Sequence, residues 1–278
     1  MSENMPKHAS KAEKVLREFL AYPLDDGSEI LKRFSALPNA KSACGQNLLE
    51  RYVYIPGSRS DAVLLIAHVD TVWDQHYQQG GKGSPVAFEN GRFFSVDPIT
   101  GIGADDRAGC ALLWLLRESG HGILLLDGEE KGHFTGKYIR KDRTDLLKEL
   151  NRYSYLLALD LPGENFCHYH NIPVTGKFRR YIEKSFSLVV MPKKFGSDLP
   201  YLVTNRCGAN LSIGVYCMHR QEEVLDLSQW LKLYEKLFAV LQQPQPTFRA
   251  KRLVLLSRYV EKKMKSLWFW IRTRRKAV

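Results

Sequence analysis

AVLLIAHVD, residues 62–70, is the stretch of sequence that decides the predicted fold. Its first six residues are all apolar, and a short continuous run of this kind is typical of a strand buried on both faces of a sheet. GILLL at 122–126 and YLLAL at 155–159 share the pattern, and helical stretches at 106–118 and 137–151 lie between the runs. This alternation predicts the α/β fold class, as a single domain with a mixed, largely parallel central sheet flanked by helices on both faces.

Polar residues follow each of the three predicted strands. His68 and Asp70 come after the first strand, Glu129 and Glu130 after the second, and Asp160 directly after the third. In open α/β sheets, ligands bind at the carboxyl ends of the strands. The sequence therefore predicts a functional site at this edge, built from side chains that can hold a metal ion.

His68 and Asp70 form an HxD pair, in which positions i and i+2 of a strand point the same way. A metal-binding histidine usually donates its other ring N–H to an acceptor that fixes its orientation. We therefore predict His68 as a ligand and Asp70 as the carboxylate that supports it. An isolated HxD pair is more often a feature of the surface, so this motif alone has little weight.

Asp105 lies in the glycine-rich segment GIGADDRAG at 101–109, which opens a predicted helix. A carboxylate with so little bulk around it can lie between two cations and bridge them. The alternative is a plain turn with an aspartate that caps the helix.

Glu129 and Glu130 are adjacent on a predicted turn, where their side chains can point in different directions. One can bind a metal ion while the other stays free to take a proton from water, whose pKa a metal ion lowers. A pair of glutamates is also common on protein surfaces.

Asp160 and His219 complete the candidate ligands. A carboxylate at the end of an apolar strand is costly to bury unless it is paired or bound to a cation. His219 follows the apolar stretch ANLSIGVY, and its alternative is a surface histidine beside Glu222 and Glu223. Imidazole and carboxylate ligands suit Zn²⁺, with Co²⁺ or Mn²⁺ as alternatives, and we predict two ions per chain.

The ordered motifs resemble those of the zinc-dependent exopeptidases of the M28 and M20 type over roughly residues 12–240. The motifs that carry the resemblance are HVD at 68–70, GADD at 103–106, DGEEKG at 127–132, Asp160 and His219.

The resemblance implies that Asp105 bridges the two ions and that Glu129 is the general base. The remaining ligands would divide into His68 and Asp160 on one ion, and Glu130 and His219 on the other. Only about sixty residues separate Asp160 from His219, which leaves no room for the lid domain that M20 enzymes carry there.

The shorter M28-like aminopeptidase is therefore the preferred interpretation, and Gly196-Ser197-Asp198 also resembles an M28 segment. A carboxypeptidase or an N-acyl-amino-acid deacylase on the same site remains open, with a short peptide or an acyl-amino acid as substrate. A single-metal cyclising acyltransferase and a non-catalytic binding protein are further alternatives. His168 and His170 are extra metal ligands, substrate contacts or ordinary histidines of a loop or strand. The sequence sets neither substrate preference nor oligomeric state.

The positive charge belongs almost entirely to the C-terminal segment. Residues 249–278 hold eleven Lys or Arg and one acid, a net of +10, whereas the whole chain has +11. A body so close to neutrality argues against a nucleic-acid partner. We predict a catalytic domain at 1–243 and a basic amphipathic helical tail at 244–278, which either packs on the body or lies on an anionic membrane surface.

The five cysteines are scattered and form no CxxC pair, which favours reduced thiols. The N-terminal segment has no apolar stretch typical of a signal peptide. We therefore expect a cytoplasmic protein, with peripheral association at the membrane through its tail as the alternative.

Overall fold

The computed structural model describes residues 7–75, 86–193 and 195–251. The helices are α1 (Lys7–Leu20), α2 (Ser28–Ser35), α3 (Ala104–Leu116), α4 (Phe134–Asp142), α5 (Thr144–Leu150), α6 (Gly176–Ser185), α7 (Leu199–Leu202) and α8 (Leu227–Gln242). The strands of the main sheet are β1 (Lys41–Cys44), β2 (Arg51–Ile55), β3 (Leu64–His68), β6 (Gly122–Leu126), β7 (Leu156–Leu161), β8 (Phe166–His168), β9 (Val189–Val190) and β10 (Gly208–Ser212). The strands of a second sheet are β4 (Val86–Glu89), β5 (Arg92–Ser95), β11 (Val215–Tyr216) and β12 (Val224–Asp226).

The main sheet has eight strands in the order β1-β2-β6-β3-β7-β10-β8-β9. Its centre, β6-β3-β7-β10, is parallel. Strand β1 pairs antiparallel with β2, β2 with β6 and β8 with β10, whereas β9 pairs parallel with β8. Strands β3 and β6 are buried at every position because helices cover both faces. The predicted α/β domain with a mixed, largely parallel sheet is confirmed.

The helices divide into two groups. Helix α3 packs on β3 and β7 and also contacts α1 and α8, while α4 contacts α5 and α7, and α7 contacts β10. The predicted helix at 137–151 is two helices, because the backbone leaves the helical conformation at Arg143.

The second sheet, in the order β11-β12-β5-β4, is antiparallel and was not predicted from the sequence. Asn90 and Gly91 join β4 to β5 with φ values of 51° and 78°, the two-residue turn that fits the twist of a hairpin. This sheet positions the turn between β11 and β12, which carries His219, beside the loop that precedes α3.

The described part of the predicted tail, 244–251, contacts the body. Gln245 is buried, its backbone N–H donates to Asp61, and its side chain accepts from the hydroxyl of Tyr155 at 2.6 Å. Residues 252–278, which hold most of the predicted basic helix, lie outside the described residues. Among the described residues, no helix combines the length and the apolar character that a membrane span needs.

Candidate metal centre

The five predicted ligands meet at the carboxyl edge of the main sheet in two groups that share one residue. His68, Asp105 and Asp160 form the first group, and Asp105, Glu130 and His219 form the second. In each group the candidate ligand atoms lie within 4.8 Å of one another. Residues separated by more than a hundred positions in the chain are therefore brought to one place, because parallel strands end at the same edge.

His68 presents one ring nitrogen to the carboxylates and the other to the main chain. Nε2 lies 3.0 Å from Oδ1 of Asp105 and 3.4 Å from Oδ1 of Asp160. Nδ1 lies 3.1 Å from the backbone oxygen of Asp70. Donation from Nδ1 to that carbonyl leaves the Nε2 lone pair directed into the group, as a metal ligand requires.

Asp105 directs its two oxygens to different histidines. Oδ1 faces His68, whereas Oδ2 lies 2.9 Å from Nε2 of His219. The same nitrogen of His219 lies 2.8 Å from Oε1 of Glu130. One carboxylate thus stands between the two groups, with one oxygen in each.

The spacing and charge of these side chains fit metal ions. Ligands held tetrahedrally at ~2.0–2.1 Å from one ion are about 3.3 Å apart, close to the separations around His68. Burial raises the pKa of Glu130 to about 7 and raises the pKa of Asp160 well above its usual range. A divalent cation would offset the cost of holding these carboxylates ionised away from water.

Asp70 contacts the turn after β6 as well as His68. Its Oδ1 accepts the backbone N–H of Glu129 at 3.1 Å, and its Oδ2 accepts that of Glu130 at 3.0 Å. Its carboxylate lies 3.4 Å from Nδ1 of His68, farther than its backbone oxygen. The side chain therefore aligns the two glutamates, a contact that the HxD spacing did not predict.

Glu223 fixes the loop that carries Asp105. This buried glutamate accepts the backbone N–H of Gly103 at 2.7 Å and that of Asp105 at 3.1 Å. Burial raises its pKa to about 7. From the sequence, Glu223 was expected only as a surface acid near His219. Glu222 and Glu223 are adjacent glutamates, and no sequence pattern distinguished the buried one from the other.

Asp106 and Asn210 support the other ligands. The carboxylate of Asp106 accepts the backbone N–H of His68 at 3.1 Å and that of Gly109 at 3.0 Å. Asn210, in β10, accepts the backbone N–H of Asp160 at 3.1 Å. In the sequence, Asn210 stands out only as a single amide residue inside the apolar stretch ANLSI, which could have indicated a buried polar contact.

Glu129 lies beside the two groups, and one of its oxygens forms a third set of candidate metal-ligand atoms with His68 and Glu130. Its carboxylate lies 3.1 Å from Nδ1 of His133, and this direct contact raises the pKa of His133. Nδ1 of His133 is also 3.9 Å from Oδ1 of Asp198. Glu129, His68 and Asp198 line a small cavity of about 10 Å³.

His168 and His170 form a separate pair. Their rings meet edge to face with centroids 4.4 Å apart, and Nδ1 of His170 lies 3.2 Å from the backbone oxygen of Phe195. Neither histidine joins a metal-ligand group within the part of the chain that the structure describes.

Comparison with known proteins gives a result at the level of structure alone. No family model and no curated protein matches the chain. The aminopeptidase PepT of Bacillus cereus superposes with a TM-score of 0.61 at 13% identity, over 84% of this chain and 98% of that chain. A tripeptidase of Staphylococcus aureus gives 0.60 at 12% identity, over the same shares, 84% and 98%. The chain has the same fold as these two peptidases.

This shared fold confirms, at the level of architecture, the predicted resemblance to exopeptidases. A glutaminyl cyclase of an Acidobacteriales bacterium is also similar, with a TM-score of 0.53 at 16% identity over 87% of this chain and 96% of that chain. The fold therefore occurs with more than one chemistry, and the function has to be argued from the site.

Proposed function

We propose that this chain is a metal-dependent hydrolase of peptide bonds, and more narrowly an aminopeptidase with a dinuclear zinc site. One observation carries the proposal: the two oxygens of Asp105 face two different groups of candidate ligands. A carboxylate in this position bridges two ions, whereas a plain helix cap has no need of histidines on both sides.

The residues divide between the ions as their contacts suggest. His68 and Asp160 would hold one ion, Glu130 and His219 the other, and Asp105 both. Zinc is the proposed metal, with cobalt or manganese as alternatives. Bound at this site, the pair would polarise the substrate carbonyl and lower the pKa of the attacking water.

Glu129 is proposed as the general base. It accepts a proton from the attacking water and returns it to the amine that leaves. Asp70 holds the backbone of Glu129 and Glu130. The carboxylate of Glu130 turns to His219, and that of Glu129 lies beside His133. A short peptide with a free amino terminus is the proposed substrate.

The test is metal analysis followed by kinetics with Glu129→Gln. We expect two zinc equivalents in both proteins and a loss of kcat of about 10²–10⁴-fold in the variant, the usual contribution of a general base. Glu118→Gln changes an exposed glutamate and is the matched control. Full activity in Glu129→Gln would contradict the assigned mechanism.

Other amide chemistry on the same site is separated by a substrate panel. Aminoacyl-anilides report an aminopeptidase, C-terminal peptides a carboxypeptidase, and N-acyl-amino acids a deacylase. The likeness to a glutaminyl cyclase favours one further candidate, a single-metal cyclising acyltransferase. Cyclisation of a glutaminyl peptide with one zinc equivalent per chain would support it over the dinuclear hydrolase.

We also propose a function of a different class, which is membrane association. The basic segment 249–278 would bind anionic membrane surfaces from the cytoplasmic side. Ala250 donates its backbone N–H to Asn205, so removal of residues 252–278 spares this contact with the body. The full chain should sediment with anionic vesicles and not with neutral ones, while the truncated chain should sediment with neither. Equal sedimentation of the two chains would end this proposal.

A further inference from the structure

His133 returns to Glu129 by way of a backbone turn. The N–H of His133 donates to the backbone oxygen of Glu129 at 2.9 Å, and that of Phe134 donates to Gly128 at 2.9 Å. His133 precedes helix α4 and has a φ of 61°, in the left-handed region. This conformation directs its ring back over the carboxylate of Glu129 instead of along the helix.

The ring is held on more than one side. The ring of Tyr201 lies 5.6 Å away between centroids, and a Cβ on Gly196 would come within 3.2 Å of the imidazole. Nδ1 faces Glu129 at 3.1 Å and Asp198 at 3.9 Å. Nδ1 makes no aligned hydrogen bond, so the contact with Glu129 is that of an ion pair.

Asp198 lies on the same side of His133 as Glu129, because Nδ1 faces both carboxylates. Its side chain is 4% exposed, and neither of its oxygens has a hydrogen-bond partner among the described residues. Within that same part of the chain, the only ion pair made by Glu129 is with His133. One ring nitrogen of His133 therefore faces two acids, Glu129 at the shorter distance and Asp198 at the longer one.

We propose that His133 is a positioning residue, which holds the carboxylate of Glu129 toward the metal ligands. The inference rests on the proposed role of Glu129 as general base. A glutamate side chain has several rotatable bonds, and a base is effective only when its oxygen is held within reach of the proton that it takes. Glu130 needs no such partner, because its oxygen already contacts His219.

The matched test is His133→Asn against His133→Asp. Both side chains tolerate a positive φ and have the same size, but only Asn offers a donor at this position. Because residues that orient a catalytic group are worth about 10–100-fold, we expect kcat to fall about 10-fold with Asn and about 100-fold with Asp. KM and the zinc content should stay within about 2-fold of the original.

A double variant separates positioning from folding. If His133 acts through Glu129, then His133→Asp should cost almost nothing further in a Glu129→Gln background, since groups that act as a unit are not additive. A purely structural role would give the same loss in both backgrounds. His168→Asn, a nearby histidine without contact to Glu129, is the control and should keep kcat within about 2-fold.

A readout without turnover keeps this inference distinct from the proposed function. In the full chain labelled with ¹⁵N-histidine, the ring nitrogens of His133 should shift in Glu129→Gln and stay in place in Glu118→Gln. If no substrate is hydrolysed, the proposed function is wrong. The shift of the His133 ring nitrogens would still test the contact between His133 and Glu129. Equal kcat in both His133 variants and the original, or no shift, would overturn the positioning role.

Discussion

The two sides of the candidate metal centre differ in burial and in how the backbone holds them. His68 and Asp160 lie on neighbouring strands, and the side chain of His68 is 3% exposed. His219 lies in a turn between β11 and β12, with a φ of 65° and a side chain that is 52% exposed. Asp105 is common to both sides.

The difference follows from the elements that carry each side. Backbone hydrogen bonds fix His68 through Asp106 and fix Asp160 through Asn210, so the His68 side is ordered by the sheet itself. The His219 side depends on a turn of the second sheet. We therefore expect the ion on the His68 side to be held more firmly than the ion on the His219 side, and four variants test this comparison.

The largest effect is expected where the two sides meet. Asp105→Asn keeps the shape of the side chain but removes its charge and one acceptor oxygen, so both ions lose a ligand. We expect kcat/KM to fall by about 10³-fold or more, about 4 kcal/mol of transition-state stabilisation, with loss of zinc from both sites. Asp142→Asn, on the surface, is the control. If the variant keeps both zinc equivalents and its activity, Asp105 does not bridge the two ions.

Asp70→Asn comes next, because Asp70 connects the two sides. The NH2 group of the new asparagine side chain would face the backbone N–H of Glu129 or Glu130, so that one of these two hydrogen bonds is lost. His68 keeps its contact with the backbone oxygen of residue 70. A loss of about 10–100-fold in kcat is expected, with the ion on the His68 side retained. Metal analysis together with kinetics checks this, and an early loss of that ion would show that the Asp70 carboxylate chiefly supports His68.

His219→Gln should act on the exposed side alone. We expect about one zinc equivalent to remain, and activity to fall about 10-fold and recover in part when zinc is added. Chelation of the original protein should likewise remove the two ions at different rates, since one ligand set is open to solvent. Simultaneous loss of both ions would contradict the proposed difference between the sides.

Glu223→Gln should have the smallest effect. The amide can still accept one of the backbone N–H groups of Gly103 and Asp105 but loses the charge that strengthens both bonds. We expect a decrease in zinc affinity of about 3–10-fold, measured by competition with a chelator. Glu222→Gln, the adjacent residue, is the control, and an equal effect of the two would contradict the role of Glu223.

Much of the metal centre was predictable because its signals are local. Apolar runs that end in His68, Glu130 and Asp160 place these residues at one edge of a parallel sheet, whatever the details of packing. The glycines around Asp105 likewise indicated a tight turn at the start of a helix. The helix at 137–151 was predicted too long, because the apolar pattern runs on through Arg143, where the backbone leaves the helical conformation.

The sequence by itself thus determined the fold class, the edge of the sheet that holds the site and the candidate ligands, since each depends on residue type and on periodicity over a few positions. Only the tertiary structure decided which groups support those ligands. The contact from Glu223 to Asp105 spans 118 positions, and that from His133 to Asp198 joins a turn to a distant loop. Such pairs follow from how sheets and helices pack against each other, and no local pattern distinguishes them from surface residues of the same kind.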